Sequence, residues 1–244
     1  MRNGYFPSTW GMSFLLSSSI LFSKFASTSA FCASNRVIHS SIIKPATFSS
    51  TGLRMSSTSE TKKRVLVPIA DDSEEIETTC ITDVLTRFGA EVVVASVKTG
   101  GELVCKMSRG IKVVADISIE EATGQEWDLI ALPGGMPGAE HLRDCTSLIS
   151  LLEKQKANGK LYAAICASPA VVFANKGLVG EGATSYPAEG FRKAMVAPVD
   201  DDVVVQGNVI TSKGPGTALK FGLTLGEKLY GAEKAKAVAD GLLV

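Results

Sequence analysis

The chain has 244 residues, of which 45% are hydrophobic and 20% are charged, and its 25 basic residues balance its 25 acidic ones. All the acidic residues lie at or after Glu60, together with only 20 of the basic residues, so residues 60–244 carry a net charge of −5. Nucleic-acid binding needs a concentrated basic face, so this composition argues against a nucleic-acid partner.

The first 59 residues have the composition of a targeting presequence, rich in serine and threonine and free of acids. An apolar run at residues 12–22 is too short to span a bilayer, and small residues at 27–30 resemble a signal-peptidase site. A signal-like run followed by a Ser-rich basic stretch resembles the bipartite plastid presequences of algae with complex plastids. We therefore predict a largely disordered presequence at residues 1–59 and a plastid location. The alternatives are the mitochondrion, simple secretion, and the cytoplasm if the presequence is not used.

Residues 60–244 are predicted to form one α/β domain with no membrane segment. Uniformly apolar runs predict buried strands at residues 64–69, 91–97, 128–132 and 161–165, and hairpins at 102–105 with 111–115 and at 203–206 with 209–212. A weak strand is predicted near Ala183. One helix is predicted to begin among residues 71–75 and to end near Gly89, and another to follow the strand that ends at residue 165. Further helices are predicted at residues 139–144, 147–158, 217–229 and 233–242. Such alternation predicts a mostly parallel sheet with helices on both faces and a site at the carboxyl ends of its strands.

Cys166 is the leading candidate for a nucleophile. An apolar strand ends at this residue, and small neighbours with Pro169 open a helix, which is the construction of a nucleophile elbow. Free N–H groups at the start of a helix favour a thiolate over a thiol. The alternative is a cysteine that serves only as a small buried apolar residue. The other cysteines after residue 60 are widely spaced, which predicts no disulfide framework and weakens secretion.

Glu77 is the second candidate, because it shares a helical stripe with the apolar residues Ile81, Val84, Leu85 and Phe88. An acid on the face that packs against the core has a raised pKa, and it can exchange a proton with a thiol or a substrate. The alternative is a partly solvated first-turn acid that the helix dipole favours.

Gly134 and Gly135 directly follow a predicted core strand. Glycine lets backbone N–H groups approach a ligand, so this loop and the N–H of Ala167 could form an oxyanion hole. The alternative is a plain turn. No phosphate-binding glycine fingerprint occurs at a strand-to-helix junction.

Histidines are too few for the usual cysteine–histidine enzymes. His39 lies in the presequence, and no histidine follows His141, which is interpreted as a surface residue. A glutaminase is therefore nearly excluded, and a cysteine protease is disfavoured. No cysteine and histidine stand at zinc-like spacing, so no metal is expected.

Four motifs in order resemble the ThiJ/PfpI family and are closest to its DJ-one-like protein deglycase branch: residues 74–77, 132–135, 163–169 and 212–217. The resemblance covers essentially residues 62–244. It implies a flavodoxin-like sandwich that forms a homodimer and needs no cofactor. It also implies that Cys166 is a redox-sensitive nucleophile, that Glu77 is its acid partner, and that Gly135 and Ala167 supply oxyanion N–H groups.

The resemblance further implies an anion-friendly entrance formed by Arg109 and by Arg87 of a dimer partner. The chain departs from the family at two positions. Tyr186 stands where some members have a histidine, and Lys213 stands where an arginine is usual. Tyrosine is a poor base at neutral pH, so proton transfer would depend more on Glu77.

The leading functional hypothesis is a cofactor-independent glyoxalase or deglycase that acts on methylglyoxal-type dicarbonyls or early glycation adducts. Gly134, Gly135, Ala167, Tyr186, Arg109 and Arg87 are its predicted substrate-binding residues. The alternatives are a redox sensor or chaperone that responds to oxidation of Cys166, and a degenerate family member that only binds partners.

Overall fold

The computed structural model describes residues 62–244. The predicted presequence and its cleavage site therefore lie outside the described residues, and the plastid location stays a prediction. None of the helices in residues 62–244 is both long and apolar enough to cross a membrane.

The centre of the fold is a seven-stranded sheet in the order β5-β2-β1-β6-β7-β9-β8. All neighbouring strands are parallel except β8 and β9, which form an antiparallel hairpin. The strands are β1 (Arg64–Ile69), β2 (Glu91–Ser96), β5 (Ile117–Ser118), β6 (Leu129–Leu132), β7 (Leu161–Ile165), β8 (Val203–Gln206) and β9 (Val209–Ser212). A separate two-stranded sheet pairs β3 (Val104–Lys106) with β4 (Lys112–Val114).

Helices cover both faces of the sheet. The α-helices are α1 (Glu75–Arg87), α2 (Ile119–Thr123), α3 (Gly138–Asp144), α4 (Thr146–Ala157), α5 (Glu189–Ala194), α6 (Ala218–Tyr230) and α7 (Ala232–Leu242). A π-type helix, Pro169–Ala174, follows β7, and short 3₁₀ turns occupy Thr99–Gly101 and Pro215–Thr217.

Two apolar clusters form the core, one on each face of the sheet. In β1, Val65 and Val67 pack with α1 and α6, whereas Leu66 between them packs with α2 and α4. This alternation follows from the two-residue period of a strand. Burying one such side chain contributes about 1.5–3 kcal/mol. The predicted flavodoxin-like sandwich is confirmed.

The carboxyl ends of β1, β6 and β7 meet at one edge of the sheet, as predicted. Gly135 lies against the loop after β1, since a Cβ on Gly135 would stand 2.3 Å from the carbonyl oxygen of Asp72. Gly134 lies against the residue after β7, since its Cβ would stand 2.7 Å from Cβ of Cys166. The parallel register therefore brings the three loops together.

Several local elements differ from the prediction, and the short strand β5 was not predicted. The expected strand near Ala183 is wrong: the N–H of Thr184 donates to the side-chain oxygen Oγ1 of Thr211 at 3.1 Å, so the segment does not join the sheet through a backbone ladder. Helix α2 was not predicted, although Ser118 and Glu121 form a complete capping box at its start. Helix α5 was also missed. It has six residues, and none of them is fully buried.

Candidate active site

Cys166 lies at a strained elbow between β7 and the π-type helix. Its φ of 64° is in the left-handed region that side chains other than glycine rarely adopt. Its N–H donates to the carbonyl of Ser212 at 3.0 Å, and its own carbonyl accepts from the N–H of Tyr186 at 2.8 Å. These bonds hold a conformation that costs about 1–3 kcal/mol, and strain of this kind concentrates at functional sites.

The glycine loop after β6 packs directly against the elbow. A Cβ on Gly134 would lie 2.7 Å from Cβ of Cys166 and 2.9 Å from the nitrogen of Ala167, so only glycine fits. The hydroxyl of Ser168 donates to the carbonyl of Pro133 at 2.5 Å and ties the two segments together. Ser168 is one of the small residues beside Cys166 that the elbow requires.

Glu77 is fully buried beneath the glycine loop, at 0% exposure. Its stripe partners Ile81, Val84, Leu85 and Phe88 are also fully buried, which confirms the predicted core-facing side of α1. The carboxyl oxygen Oε2 accepts from the N–H of Gly134 at 2.7 Å. That N–H is therefore occupied, so Gly134 positions Glu77 instead of offering a donor to a substrate.

The second oxygen of Glu77, Oε1, is buried and forms no hydrogen bond of regular geometry within residues 62–244. The thiol of Cys166 nevertheless lies close enough to the carboxyl for a hydrogen-bonding interaction that lowers the pKa of Glu77 and raises that of Cys166. Oε1 therefore keeps unused acceptor capacity.

Burial is the largest influence on the pKa of Glu77 and raises it to about 7, with a smaller contribution from the charge of Glu74. The hydrogen bonds from Gly134 and Cys166 act in the opposite direction. A carboxyl with this pKa changes protonation state near neutral pH, which suits proton transfer.

The thiol of Cys166 differs from the sequence-based expectation of an exposed, readily ionised group. Its residue is only 9% exposed. Burial and the Glu77 carboxylate raise its pKa to about 12, although N–H groups of Gly135 and Ala167 hydrogen-bond the sulfur and lower it. The predicted helix-start donor is present, but burial and the neighbouring charge outweigh it.

Cys166 and Glu77 titrate as a coupled pair. When Glu77 is ionised, its charge opposes a thiolate. When Glu77 holds the proton, that opposition disappears, and its O–H can donate to the sulfur while Gly135 and Ala167 still stabilise the negative charge. A proton moved from Cys166 to Glu77 would therefore leave a thiolate without an opposing carboxylate beside it.

Tyr186 and Gly214 form another side of the site. A Cβ on Gly214 would lie 3.3 Å from Cδ2 of Tyr186 and 3.9 Å from Sγ of Cys166. Gly214 lies within the fourth family motif, residues 212–217, but was not predicted as a site residue. The sequence feature that could have identified it is the Gly-Pro-Gly sequence after β9, the strand that pairs with β7. Lys213 pairs with Asp200 and Asp202, each at 3.3 Å.

The two predicted arginines make contacts with residues other than Cys166. Arg109 is exposed; its N–H donates to Glu75 at 2.7 Å, and its side chain donates to the carbonyl of Ser108 at 3.3 Å. Arg87 pairs with Asp83 at 2.7 Å, ten residues along α1 from Glu77, which is about 15 Å of helix. Arg87 therefore lies away from the Cys166 site of its own chain.

His141 is exposed and lines a separate cleft of about 440 Å³ with Asp71, Lys98 and Cys145. Cys166 is not among the lining residues of that cleft. Among residues 62–244, no three His, Cys, Asp or Glu side chains are grouped to hold a metal ion.

The fold and the site together define a flavodoxin-like protein with a buried cysteine–carboxyl pair at the carboxyl ends of its strands. Comparison with known proteins agrees with this class. The model of the DJ-1/PfpI family matches residues 63–228, and the chain belongs to that family.

Individual relatives show the same similarity. Protein DJ-1 homolog B of Arabidopsis thaliana is 46% identical over 182 residues, which cover 74% of this chain and 41% of the relative. The chain thus matches less than half the length of that relative. The glutathione-independent glyoxalase DJR-1.2 of Caenorhabditis elegans is 39% identical over 184 residues, covering 73% of this chain and 94% of the relative. The structure of oxidised Toxoplasma gondii DJ-1 superimposes with a TM-score of 0.71 at 49% identity, covering 74% of this chain and 98% of that one.

Proposed function

We propose that the protein is a cofactor-independent glyoxalase that acts on methylglyoxal-type dicarbonyls, with the same chemistry applied to early glycation adducts as a deglycase. The observation that carries the proposal is the arrangement around one sulfur: the Glu77 carboxyl interacts with it, and the main-chain N–H groups of Gly135 and Ala167 lower its pKa. The similarity to a glutathione-independent glyoxalase adds support.

In the proposed first step, the sulfur of Cys166 bonds to the aldehyde carbon while its proton passes to Glu77. The electron pair of the C=O bond moves to oxygen, where the N–H groups of Gly135 and Ala167 stabilise the alkoxide. One such donor contributes about 10²–10³ in rate.

In the second step, protonation of that alkoxide gives a hemithioacetal. Glu77, ionised again, removes the proton from the carbon bonded to sulfur and returns it to the neighbouring carbonyl carbon, with proton exchange between the two oxygens. The product is a lactate thioester, and water cleaves it to lactate and free Cys166. The net reaction is methylglyoxal plus water to lactic acid, which needs no oxidant or reductant. A carboxyl with a pKa of about 7 can accept and donate in turn at neutral pH.

The direct test is the Cys166→Ser variant. Incubated with methylglyoxal without glutathione, it should form lactate at least about 10³-fold more slowly than the wild type, because a serine hydroxyl is a far weaker nucleophile without a base tuned to it. Lactate is measured enzymatically over time. Cys145→Ser is the matched control, since that half-buried thiol lines the separate cleft, and it should keep full activity. Equal lactate from wild type and Cys166→Ser would refute the mechanism.

Oxidation sensing at Cys166 is the second candidate function. The unpartnered oxygen Oε1 of Glu77 favours it, because the carboxyl interacts with the sulfur and a protonated oxygen there could hydrogen-bond a sulfinic acid. Mass spectrometry of the same preparations after mild peroxide treatment separates the two functions. A stable sulfinic acid confined to Cys166, with no dicarbonyl turnover, would favour the sensor.

We also propose that the chain forms a homodimer through an exposed apolar patch made by Ile76 of α1 with Ile111 and Val114 of the β3–β4 hairpin. Glu75 joins the two elements, since it accepts from Ser108 and from the N–H of Arg109 at 2.7 Å each. Arg87 and Arg109 belong to these same two elements, which supports a shared entrance between protomers.

The dimer predicts a specific effect of charge in this patch. Ile111→Asp should shift sedimentation velocity profiles from dimer to monomer, because an unpaired carboxylate would be buried in the interface. Val205→Asp is the control, as Val205 is also partly exposed but lies on β8 at the sheet edge. A monomeric wild type, or a dimer that Ile111→Asp leaves intact, would rule out this interface.

A further inference from the structure

One peptide group lies between the hydroxyl of Ser168 and the carboxyl of Glu77. It joins Pro133 to Gly134, directly after β6. Its carbonyl oxygen accepts from the Ser168 hydroxyl at 2.5 Å, and its N–H donates to Oε2 of Glu77 at 2.7 Å. The C=O and N–H of a trans peptide point in opposite directions. Ser168 and Glu77 therefore hold the same peptide from its two edges.

All the groups in this arrangement are shielded from water. Ser168 and Glu77 are each 0% exposed, and Pro133 and Gly134 between them are buried. In such surroundings one hydrogen bond polarises the next, and each bond in a chain is strengthened by about 10–30%. A donor on the carbonyl of Pro133 therefore makes the N–H of Gly134 a stronger donor to the carboxylate. It also restrains the peptide from rotating away from Glu77.

We propose that Ser168 is a positioning residue for the acid–base group: its hydroxyl fixes and polarises the peptide whose N–H binds Glu77. Ser168 acts on Glu77 through this peptide, and no proton crosses it. A hydrogen bond to the ionised form of a carboxyl stabilises that form, so Ser168 favours the carboxylate. Only the link to catalysis, in which this carboxylate accepts the proton of Cys166, rests on the proposed function.

Other titratable groups also act on Glu77, but they do so independently of Ser168. Glu74 at the N-cap of α1 raises the pKa of Glu77 through its charge, and Cys166 at the elbow lowers it through a hydrogen bond. Cys80, also on α1, has a pKa that burial raises first and the neighbouring carboxylates raise further. Helix α6 packs against α1 with apolar side chains. Removing the hydroxyl of Ser168 changes none of these groups.

The protonation of Glu77 is measured directly in the full chain by carbon-13 NMR of the glutamate carboxyls. The signal lost in Glu77→Gln assigns the residue. In Ser168→Ala, Glu77 should titrate roughly 0.3–1 pH unit higher than in the wild type, because its N–H donor is weaker and less firmly held. The N–H proton of Gly134 provides a second signal, which should move upfield as its hydrogen bond to Glu77 weakens.

Ser96→Ala is the matched control. Ser96 at the end of β2 is also 0% exposed, and its hydroxyl donates to the main-chain carbonyl of Glu102 at 2.6 Å. Both alanine variants should lose stability, since each leaves a carbonyl without its donor. Only Ser168→Ala should change the titration of Glu77. Ser168→Cys is the second variant: it keeps the space filled but has a weak S–H donor, so it should shift the titration in the same direction.

The pH profile of lactate formation connects this effect to the reaction. The value of kcat/KM should rise with pH until Glu77 is ionised, and in Ser168→Ala the midpoint of this rise should move up as far as the NMR titration does. A shifted titration without any lactate from the wild type would refute the glyoxalase and support the role of Ser168. If Glu77 titrates at the same pH in Ser168→Ala as in the wild type, or shifts equally in Ser96→Ala, that role is overturned whatever the lactate result.

Discussion

At pH 8, the Glu77→Gln variant is expected to unfold at a higher temperature than the wild type while forming lactate about 10²–10⁴-fold more slowly. Glutamine can still accept the hydrogen bond from Gly134, but it can neither take nor return a proton. Loss of general acid–base catalysis accounts for the slower reaction. The same residue should therefore be unfavourable for the fold and necessary for the chemistry.

The sign of the stability change follows from the pKa of Glu77. Burial raises this pKa from 4.5 to about 7 in the folded chain. Between these values the folded state binds more protons than the unfolded state, so wild-type stability falls as the pH rises. Each unit of pKa difference is equivalent to 1.36 kcal/mol, so at pH 8 the ionised Glu77 lowers the free energy of unfolding by about 3 kcal/mol. Glutamine avoids it, which corresponds to a Tm higher by about 6–12 °C for a domain of this size.

Thermal unfolding of both proteins from pH 5 to pH 8 measures this effect. The advantage of Glu77→Gln should be largest at pH 8 and fall to roughly a quarter of that value at pH 5. Glu75→Gln is the matched control on the same helix. Burial opposes ionisation of Glu75, but hydrogen bonds from Ser108 and Arg109 outweigh it and lower the pKa. That variant should lose stability at pH 8. A Glu77→Gln protein that is less stable than wild type at pH 8 would contradict the assignment.

The main features of the site could be predicted because they depend on local patterns. Apolar runs identified β1, β6 and β7, and parallel strands must end at a common edge, so Cys166 and the glycine loop had to meet. Glu77 was identified because four residues of its stripe are apolar and only one stripe of α1 is continuous. Apolar runs and helical stripes can be recognised in the sequence because they do not depend on exact packing distances.

The features that were missed depend on long-range geometry. The exposure and pKa of Cys166 are set by how closely Gly134 and Glu77 approach it, which no local pattern reports. The segment at Ala183 has strand-like residues, yet a side chain of β9 binds its backbone where a ladder was expected. Gly214 matters because Tyr186, nearly thirty residues earlier in the sequence, lies across it.

Gly135→Ala is expected to be strongly destabilising. Gly135 has φ of 89°, and a Cβ there would lie 2.3 Å from the carbonyl oxygen of Asp72 and 2.8 Å from the nitrogen of Glu74. Both are main-chain atoms, so the loop after β1 and the loop after β6 would have to separate. Backbone strain and the collision together should cost about 3–5 kcal/mol, which lowers Tm by on the order of 10 °C.

Gly101→Ala separates the two contributions to that cost. Gly101 has a similar φ of 73°, but nothing lies within 4 Å of its Cβ position. The Gly101→Ala variant should lose only about 1 kcal/mol of unfolding free energy, which is the cost of placing alanine in the left-handed region. Because separation of the loops also moves the N–H of Gly135 away from the sulfur, Gly135→Ala should form lactate at least about 10²-fold more slowly, even well below its Tm. Equal Tm values for the two variants would show that the loop after β1 yields, and that contact between these loops does not hold the oxyanion donor in place.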